Sequence, residues 1–196
     1  MGKNILEYLT NLWYSIIRIV VYGVSVMDKY SALDIAKWFL WKNKVEQLEN
    51  ENDDSYEVYE GLSHLKLQKL LYFAQGVSLA INGKPIFDDK ILAWTHGPVV
   101  RSVYDVFKSY GRNDIDLKID DDDLMMIEEI ENDNEISNVL NLVYDNFSIY
   151  TAWQLREMTH VVGGPWENTV RTVGMDKEIS LNSIQQYFLK EVIDND

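Results

Sequence analysis

Apolar residues recur at helical spacing between Leu65 and Ile81, in the middle of the chain. Residues three and four positions apart share one face of an α-helix, so the pattern predicts a helix with a continuous apolar stripe. More apolar residues lie off the stripe, which predicts contact on more than one side of the helix. Gly76, inside the same helix, predicts close helix packing. Ser63 is the predicted N-cap and Asn82-Gly83 the predicted end. The stripe consists of Leu67, Leu70, Leu71, Ala74, Ser78 and Ile81.

The segment that follows this helix is too short and too broken for another long helix. Two apolar runs, Ile86-Phe87 and Ile91–Trp94, predict the strands of a small hairpin, and Asp88-Asp89 is a predicted turn. Gly97-Pro98 then predicts the start of a helix, because proline in a first helical turn loses no hydrogen bond. The apolar residues on one face of that helix would be Val99, Val103, Phe107 and Tyr110.

Residues that can cap helices precede the other periodic segments. Ser31 with Asp34, and Thr151 with Gln154, have the spacing of a capping box, in which side chains and backbone amides bond reciprocally. The predicted helices are 27–50, 124–130, 136–147, 151–158, one opened by Pro165, and one capped by Ser180 with Leu181, Ile184 and Phe188 facing inward. Together they predict a mainly α fold: a single compact multi-helix domain with at most a small β-hairpin near 86–94.

Residues 1–26 form an apolar extension ahead of the predicted domain, which spans 27–196. Arg18 interrupts this run and Gly23 weakens it, whereas a membrane span needs ~20 predominantly apolar residues. We expect an additional helix here or a natural start at Met27. A membrane-surface anchor, making the protein a membrane-associated module, and a secretory signal are the alternatives, and Glu7 does not suit a signal.

The chain carries a formal net charge of −14 and contains no cysteine. Without cysteine there are no disulfides or thiolate metal sites, which suits a cytoplasmic protein. The charge disfavours nucleic acid, because affinity for phosphate backbones depends largely on lysine and arginine. The same field favours a basic protein partner and speeds its encounter, although acidity also serves solubility alone.

The sequence offers little for catalysis. His64, His96 and His160 lie far apart without HExxH spacing, which favours structural histidines over a zinc site. The carboxylates at 120–123 lack the alternation and central glycine of a calcium loop, and their place favours a helix N-terminus. No nucleophile elbow, P-loop or Rossmann motif is present. The prediction is therefore no enzyme, no metal and no cofactor, with a metal-dependent hydrolase using His96 and His160 as the alternative.

Several motifs, in the same order along the chain, resemble the Panacea domain family, which includes SocA-like antitoxins and phage-associated proteins. They are LKLQKLLYFAQG from Leu65 to Gly76, AWTHGPVV from Ala93 to Val100, Val103-Tyr104, Leu155, Thr159-His160 and Pro165-Trp166. The match extends from about Met27 to Trp166, and several ordered motifs are far more specific than one. Arg101 stands where many members have proline, and Gly163-Gly164 where an acidic residue often precedes the PW pair. Both differences bear on the choice of partner.

The resemblance implies an antitoxin that neutralises a cognate protein toxin by binding it. In the SocA-like branch it also implies a proteolytic adaptor that hands the toxin to a Clp-type protease. Trp94, His96, Arg101 and Tyr104 are the candidate partner-binding residues, since exposed Trp, Tyr and Arg are typical hot spots. The other family-motif residues are predicted to be structural: Leu67, Lys69, Leu70, Tyr72, Gly97, Pro98, His160, Pro165 and Trp166.

Overall fold

The computed structural model describes residues 30–50 and 61–190. In these residues the fold is mainly α with a small antiparallel hairpin, which confirms the fold class predicted from the hydrophobic pattern. The helices are α1 Ala32–Asn50, α2 His64–Ile81, α3 Arg101–Phe107, a 3-10 turn Lys108–Tyr110, α4 Asp121–Glu131, α5 Asn134–Phe147, α6 Ala152–Thr159, α7 Pro165–Thr172 and α8 Leu181–Phe188. The strands are β1 Ile91–Trp94 and β2 Gly97–Val100.

The predicted capping interactions define where the helices begin. The Ser31 N–H donates to Asp34 Oδ2 at 2.8 Å, and the Asp34 N–H donates to Ser31 Oγ at 3.2 Å. This box places the start of α1 at Ala32. The sequence predicts a start at Met27, so the predicted boundary was wrong. Thr151 and Gln154 form the second predicted box, at the start of α6. Single side-chain caps on α2, α4 and α8 come from Ser63, Asp120 and Ser180.

Helix α2 lies at the centre of the domain and packs against α5, α6, α8 and β2. A Cβ on Gly76 would lie 2.3 Å from the Phe188 ring, which confirms the predicted close packing at this glycine. Two residues predicted to face inward are exposed instead, Ile81 by 55% and Leu181 by 37%. Each is the terminal residue of its helix, where the neighbouring elements no longer cover it.

The hairpin differs from the one predicted. β1 pairs antiparallel with β2, and Trp94 lies opposite Gly97. The chain reverses at Thr95-His96, and Gly97 follows with a φ of +103°, which suits the end of a tight turn and not a helix. The prediction of a helix from Gly97-Pro98 was therefore wrong: these residues begin β2, and the helix begins at Arg101.

The segment Ile86-Phe87, predicted as a strand, is a loop bound to α2. The Ile86 N–H donates to Gln75 Oε1 at 2.9 Å, and Gln75 Nε2 donates to the Phe87 carbonyl oxygen at 3.0 Å. A glutamine side chain offers the same donor and acceptor as a neighbouring strand, so this buried segment needs no strand partner. The Ser78 hydroxyl adds a bond of 2.9 Å to the Lys84 carbonyl oxygen.

The predictions for the extension 1–26 concern a part of the chain outside the described residues. Within the described residues, no helix has both the length and the apolar character that crossing a bilayer requires.

Candidate partner-binding groove

An open groove of about 910 Å³ lies where α2, the hairpin, α3 and the start of α6 meet. Trp94, His96, Arg101 and Tyr104, which the sequence suggests as partner contacts, all line it. They come from the end of β1, the hairpin turn and the first turn of α3. The fold thus places all four candidates on one concave surface.

Asp176 orients two of these side chains. Its Oδ1 accepts hydrogen bonds from Trp94 Nε1 at 2.7 Å and from Arg101 Nη2 at 2.9 Å. The Arg101 guanidinium lies 5.3 Å from the centroid of the Trp94 ring, and Tyr104 meets the same ring edge-on at 4.8 Å. The hydrogen bonds from Trp94 and from Arg101 lower the pKa of the Asp176 carboxyl. The aromatic and cationic side chains are therefore oriented by contacts within the chain.

Asp176 was not predicted as part of the site. It lies 75 positions from Arg101 and has a φ of 57°, a left-handed conformation that Asp tolerates better than most residues. Its N–H donates to the Ala93 carbonyl oxygen at 2.8 Å, and the Ala93 N–H donates to the Lys177 carbonyl oxygen at 2.8 Å. The segment after α7 therefore pairs with the outer edge of β1, and no local sequence pattern signals this pairing.

Two polar side chains of α2 occupy the outer edge of β2. Gln68 Oε1 accepts from the Val100 N–H at 2.7 Å, and Lys69 Nζ donates to the Pro98 carbonyl oxygen at 2.8 Å. Both edges of the hairpin are therefore hydrogen bonded within the chain. Neither edge of the hairpin is open to an added strand.

Lys69 is fully buried beneath the hairpin turn. Burial, and then repulsion from Arg156, lower the pKa of its ammonium group to about 7. Gly97 passes so close that a Cβ there would lie 2.7 Å from Lys69 Nζ and 2.8 Å from Thr159 Oγ1. Three of the motif residues, Lys69, Gly97 and Pro98, thus form one packed unit. The protein interior also contains Leu67, Leu70, Tyr72 and Pro165.

His160 and Trp166 join α6 and α7 to the hairpin. Their ring centroids are 3.7 Å apart, and His160 Nδ1 lies 2.7 Å from the Arg156 carbonyl oxygen. Trp166 Nε1 donates to the Trp94 carbonyl oxygen at 2.9 Å. Burial lowers the pKa of His160, and the hydrogen bond with the Arg156 carbonyl opposes this shift. Both residues therefore support the strand that carries Trp94.

The three histidines have separate surroundings. His64 is buried in the groove wall, with its ring centroid 4.8 Å from that of Tyr104, and burial followed by the charge of Lys69 lowers its pKa. His96 is exposed in the hairpin turn, and His160 contacts the Trp166 ring at a tilt of 41°. Among residues 30–50 and 61–190, no cluster of three or more His, Asp or Glu could hold a metal ion.

Trp153 is a groove residue that the sequence analysis missed. Its side chain is 60% exposed, and the Arg156 guanidinium lies 4.6 Å from its ring centroid. It follows the Thr151 cap by two positions, away from the helix face that Leu155 buries. The sequence signal for this exposed contact residue is a large aromatic side chain placed off the buried face of a short capped helix.

Comparison with known proteins places these residues in a family. The family model described as "Antitoxin SocA-like, Panacea domain" matches residues 67–167. The antitoxin SocA of Caulobacter vibrioides (strain NA1000 / CB15N) is 34% identical over 110 residues, which cover 54% of this chain and 58% of that protein. The similarity therefore spans a little more than half of the relative's length. No solved structure matches the chain.

Proposed function

The chain belongs to the family of SocA-like antitoxins with a Panacea domain, and we propose that it neutralises a protein toxin by binding it directly. The observation that carries this proposal is the groove, because it combines Trp94, His96, Arg101 and Tyr104 on one surface. Tryptophan, tyrosine and arginine supply much of the binding energy at protein interfaces. The surface that binds the toxin is therefore the groove and its rim.

Preorganisation of the groove supports tight binding. Trp94 and Arg101 both donate to Asp176, at 2.7 and 2.9 Å, so less side-chain freedom is lost when a partner binds. The toxin is masked in a stoichiometric complex and is not chemically changed. Stoichiometric zinc in the purified chain, or turnover lost on replacing His96 or His160, would instead favour the hydrolase alternative.

We expect the toxin to be encoded beside the antitoxin, so co-expression with the product of the neighbouring reading frame tests the proposal. Wild-type chain should restore growth and co-purify with the toxin. Arg101→Glu should abolish rescue and weaken binding at least about tenfold, since hot-spot changes cost roughly 2 kcal/mol or more. Lys108→Glu makes the same charge change at an exposed residue outside the groove and should leave both unchanged. Failure of the wild type to rescue, or equal behaviour of two folded variants, contradicts the proposal.

We further propose that the complex delivers the toxin to a Clp-type protease in the cytoplasm, as the SocA-like resemblance suggests. The toxin's half-life should then fall when the chain is present, and only in cells that contain the protease. A half-life that does not depend on the chain would remove the adaptor role and leave neutralisation by masking intact.

We also propose that residues 27–196 carry the activity without residues 1–26. A chain that starts at Met27 should rescue growth as well as the full-length chain, and both should fractionate alike. Recovery of the full-length chain alone with membranes would instead support a membrane-associated module.

A further inference from the structure

We infer that the groove accepts a peptide segment of the toxin that carries a carboxylate, from Asp, Glu or a chain terminus, next to a large apolar side chain. The inference rests on the proposed function, because it specifies the chemistry of the toxin segment that the antitoxin recognises. It follows from the charge of the groove, the aromatic side chains that line it, and the closed edges of the hairpin.

The charge of the groove is opposite to that of the whole chain. Arg101 and Arg112 line the groove. Among the described residues that line it, Asp176 is the only acidic one. Asp176 already accepts hydrogen bonds from Trp94 and Arg101, so its charge is largely compensated. Arg112 is exposed and forms neither an ion pair nor a hydrogen bond with the residues that the structure describes. A guanidinium of this kind can bind a carboxylate through two parallel hydrogen bonds.

The start of α2 adds to the preference for an anion. Ser63, His64 and Leu65, the cap and first turn of this 18-residue helix, line the same groove. The N-terminal end of a helix carries partial positive charge and free amide groups. His64 is buried in this wall, and its Nε2 atom has no hydrogen-bond partner among the described residues.

The remaining surface suits a peptide and not a polyanion. Trp94, Tyr104 and Trp153 line the groove with aromatic rings that can contact a large apolar side chain. The formal net charge of −14 repels a nucleic-acid strand, whereas a single carboxylate meets mainly the local field of the arginines. Because both hairpin edges are occupied, the side chains of the segment must supply the specificity.

Selection of a random peptide library displayed on phage against the full-length chain tests the inference. Enriched peptides should share an acidic residue beside an aromatic or aliphatic residue. A labelled synthetic copy of one such peptide should bind, and its Asp→Asn or Glu→Gln form should bind at least about tenfold more weakly, as expected for a lost charged pair. Arg112→Gln should weaken binding of the acidic peptide similarly. Lys118→Gln removes an exposed positive charge from the same loop outside the groove and should have no effect.

Several outcomes would overturn the inference: no enrichment, enriched peptides without a carboxylate, equal binding by the Arg112 and Lys118 variants, or displacement of the peptide by inorganic phosphate or ATP. Growth rescue by the wild-type chain separates this inference from the proposed function. Rescue together with any of those outcomes would reject only the inference that the bound toxin segment carries a carboxylate. Absence of rescue together with carboxylate-dependent peptide binding would reject only the antitoxin function.

Discussion

The indole Nε1 of Trp166 donates a hydrogen bond of 2.9 Å to the carbonyl oxygen of Trp94, a residue 72 positions earlier in the chain. This bond joins α7 to the last residue of β1, directly before the turn that carries His96. The Trp94 side chain meanwhile faces the groove and donates to Asp176. One tryptophan therefore positions the backbone of another, whose side chain forms the candidate binding surface.

Trp166→Phe should lower the free energy of unfolding by about 1–2 kcal/mol, because it removes this hydrogen bond and part of the ring contact with His160. Denaturant unfolding measures the change. Trp153→Phe is the matched control: the Trp153 side chain is 60% exposed, and its replacement should change stability by less than about 0.5 kcal/mol. Equal losses in the two variants would show that the bond contributes nothing.

Gly97→Ala should destabilise the fold more than Gly83→Ala does. Both glycines have positive φ, +103° and +71°, so alanine is strained at either position. At Gly83 nothing lies within 4 Å of an added Cβ, whereas at Gly97 it would meet Lys69 Nζ at 2.7 Å. We expect an additional loss of about 1–3 kcal/mol at Gly97 from this overlap. Comparable melting temperatures for the two variants would contradict it.

Gln75→Met should cost about 2–4 kcal/mol of unfolding free energy, although the side chains have similar shapes. Methionine cannot accept from the Ile86 and Phe87 N–H groups or donate to the Phe87 carbonyl oxygen, so three buried backbone groups lose their partner. Gln186→Met, at an exposed position of α8, should be nearly neutral. If neither substitution changed the free energy of unfolding in urea, the backbone N–H and carbonyl groups of the loop would have other hydrogen-bond partners.

Lys69 should make stability depend on pH. Burial lowers its pKa from 10.5 to about 7, so between these values the unfolded chain holds a proton that the folded chain has released. The contribution of Lys69 to the free energy of unfolding is therefore lowest below its pKa in the folded chain. It rises as the pH approaches the pKa of the unfolded chain, by at most about 1.4 kcal/mol per pH unit. The stability of wild type relative to Lys69→Met should grow across this range. Lys118→Met controls for the loss of one charge, and a flat difference would mean that Lys69 stays protonated in the fold.

The formal net charge of −14 should speed association with a basic toxin. Raising ionic strength screens the attraction between separated charges, so the association rate constant should fall with added salt while the dissociation rate changes less. Stopped-flow measurements at several salt concentrations provide the test. An association rate constant that does not respond to salt would exclude electrostatic steering and leave solubility as the role of the charge.

The helices could be predicted because their determinants are local. Ser31 with Asp34, and Thr151 with Gln154, bond across three positions, and apolar residues at helical spacing define each buried face. Gly76 also indicated close packing before its neighbour was known. The four candidate contact residues could be proposed from family motifs and residue type, although their meeting in one groove could not.

Only the tertiary structure decided which backbone groups pair with which side chains. Gln68 and Gln75 are buried in α2, and their partners are loop and strand backbones 11 to 32 positions away. Gln75 bonds the backbone of Ile86-Phe87, a predicted strand that is a loop. Gln68 bonds Val100 at the end of β2, the strand that begins at Gly97-Pro98, where the sequence predicts a helix. The physical reason is that a buried polar side chain must find a partner, while its own sequence neighbourhood does not specify which distant segment supplies it.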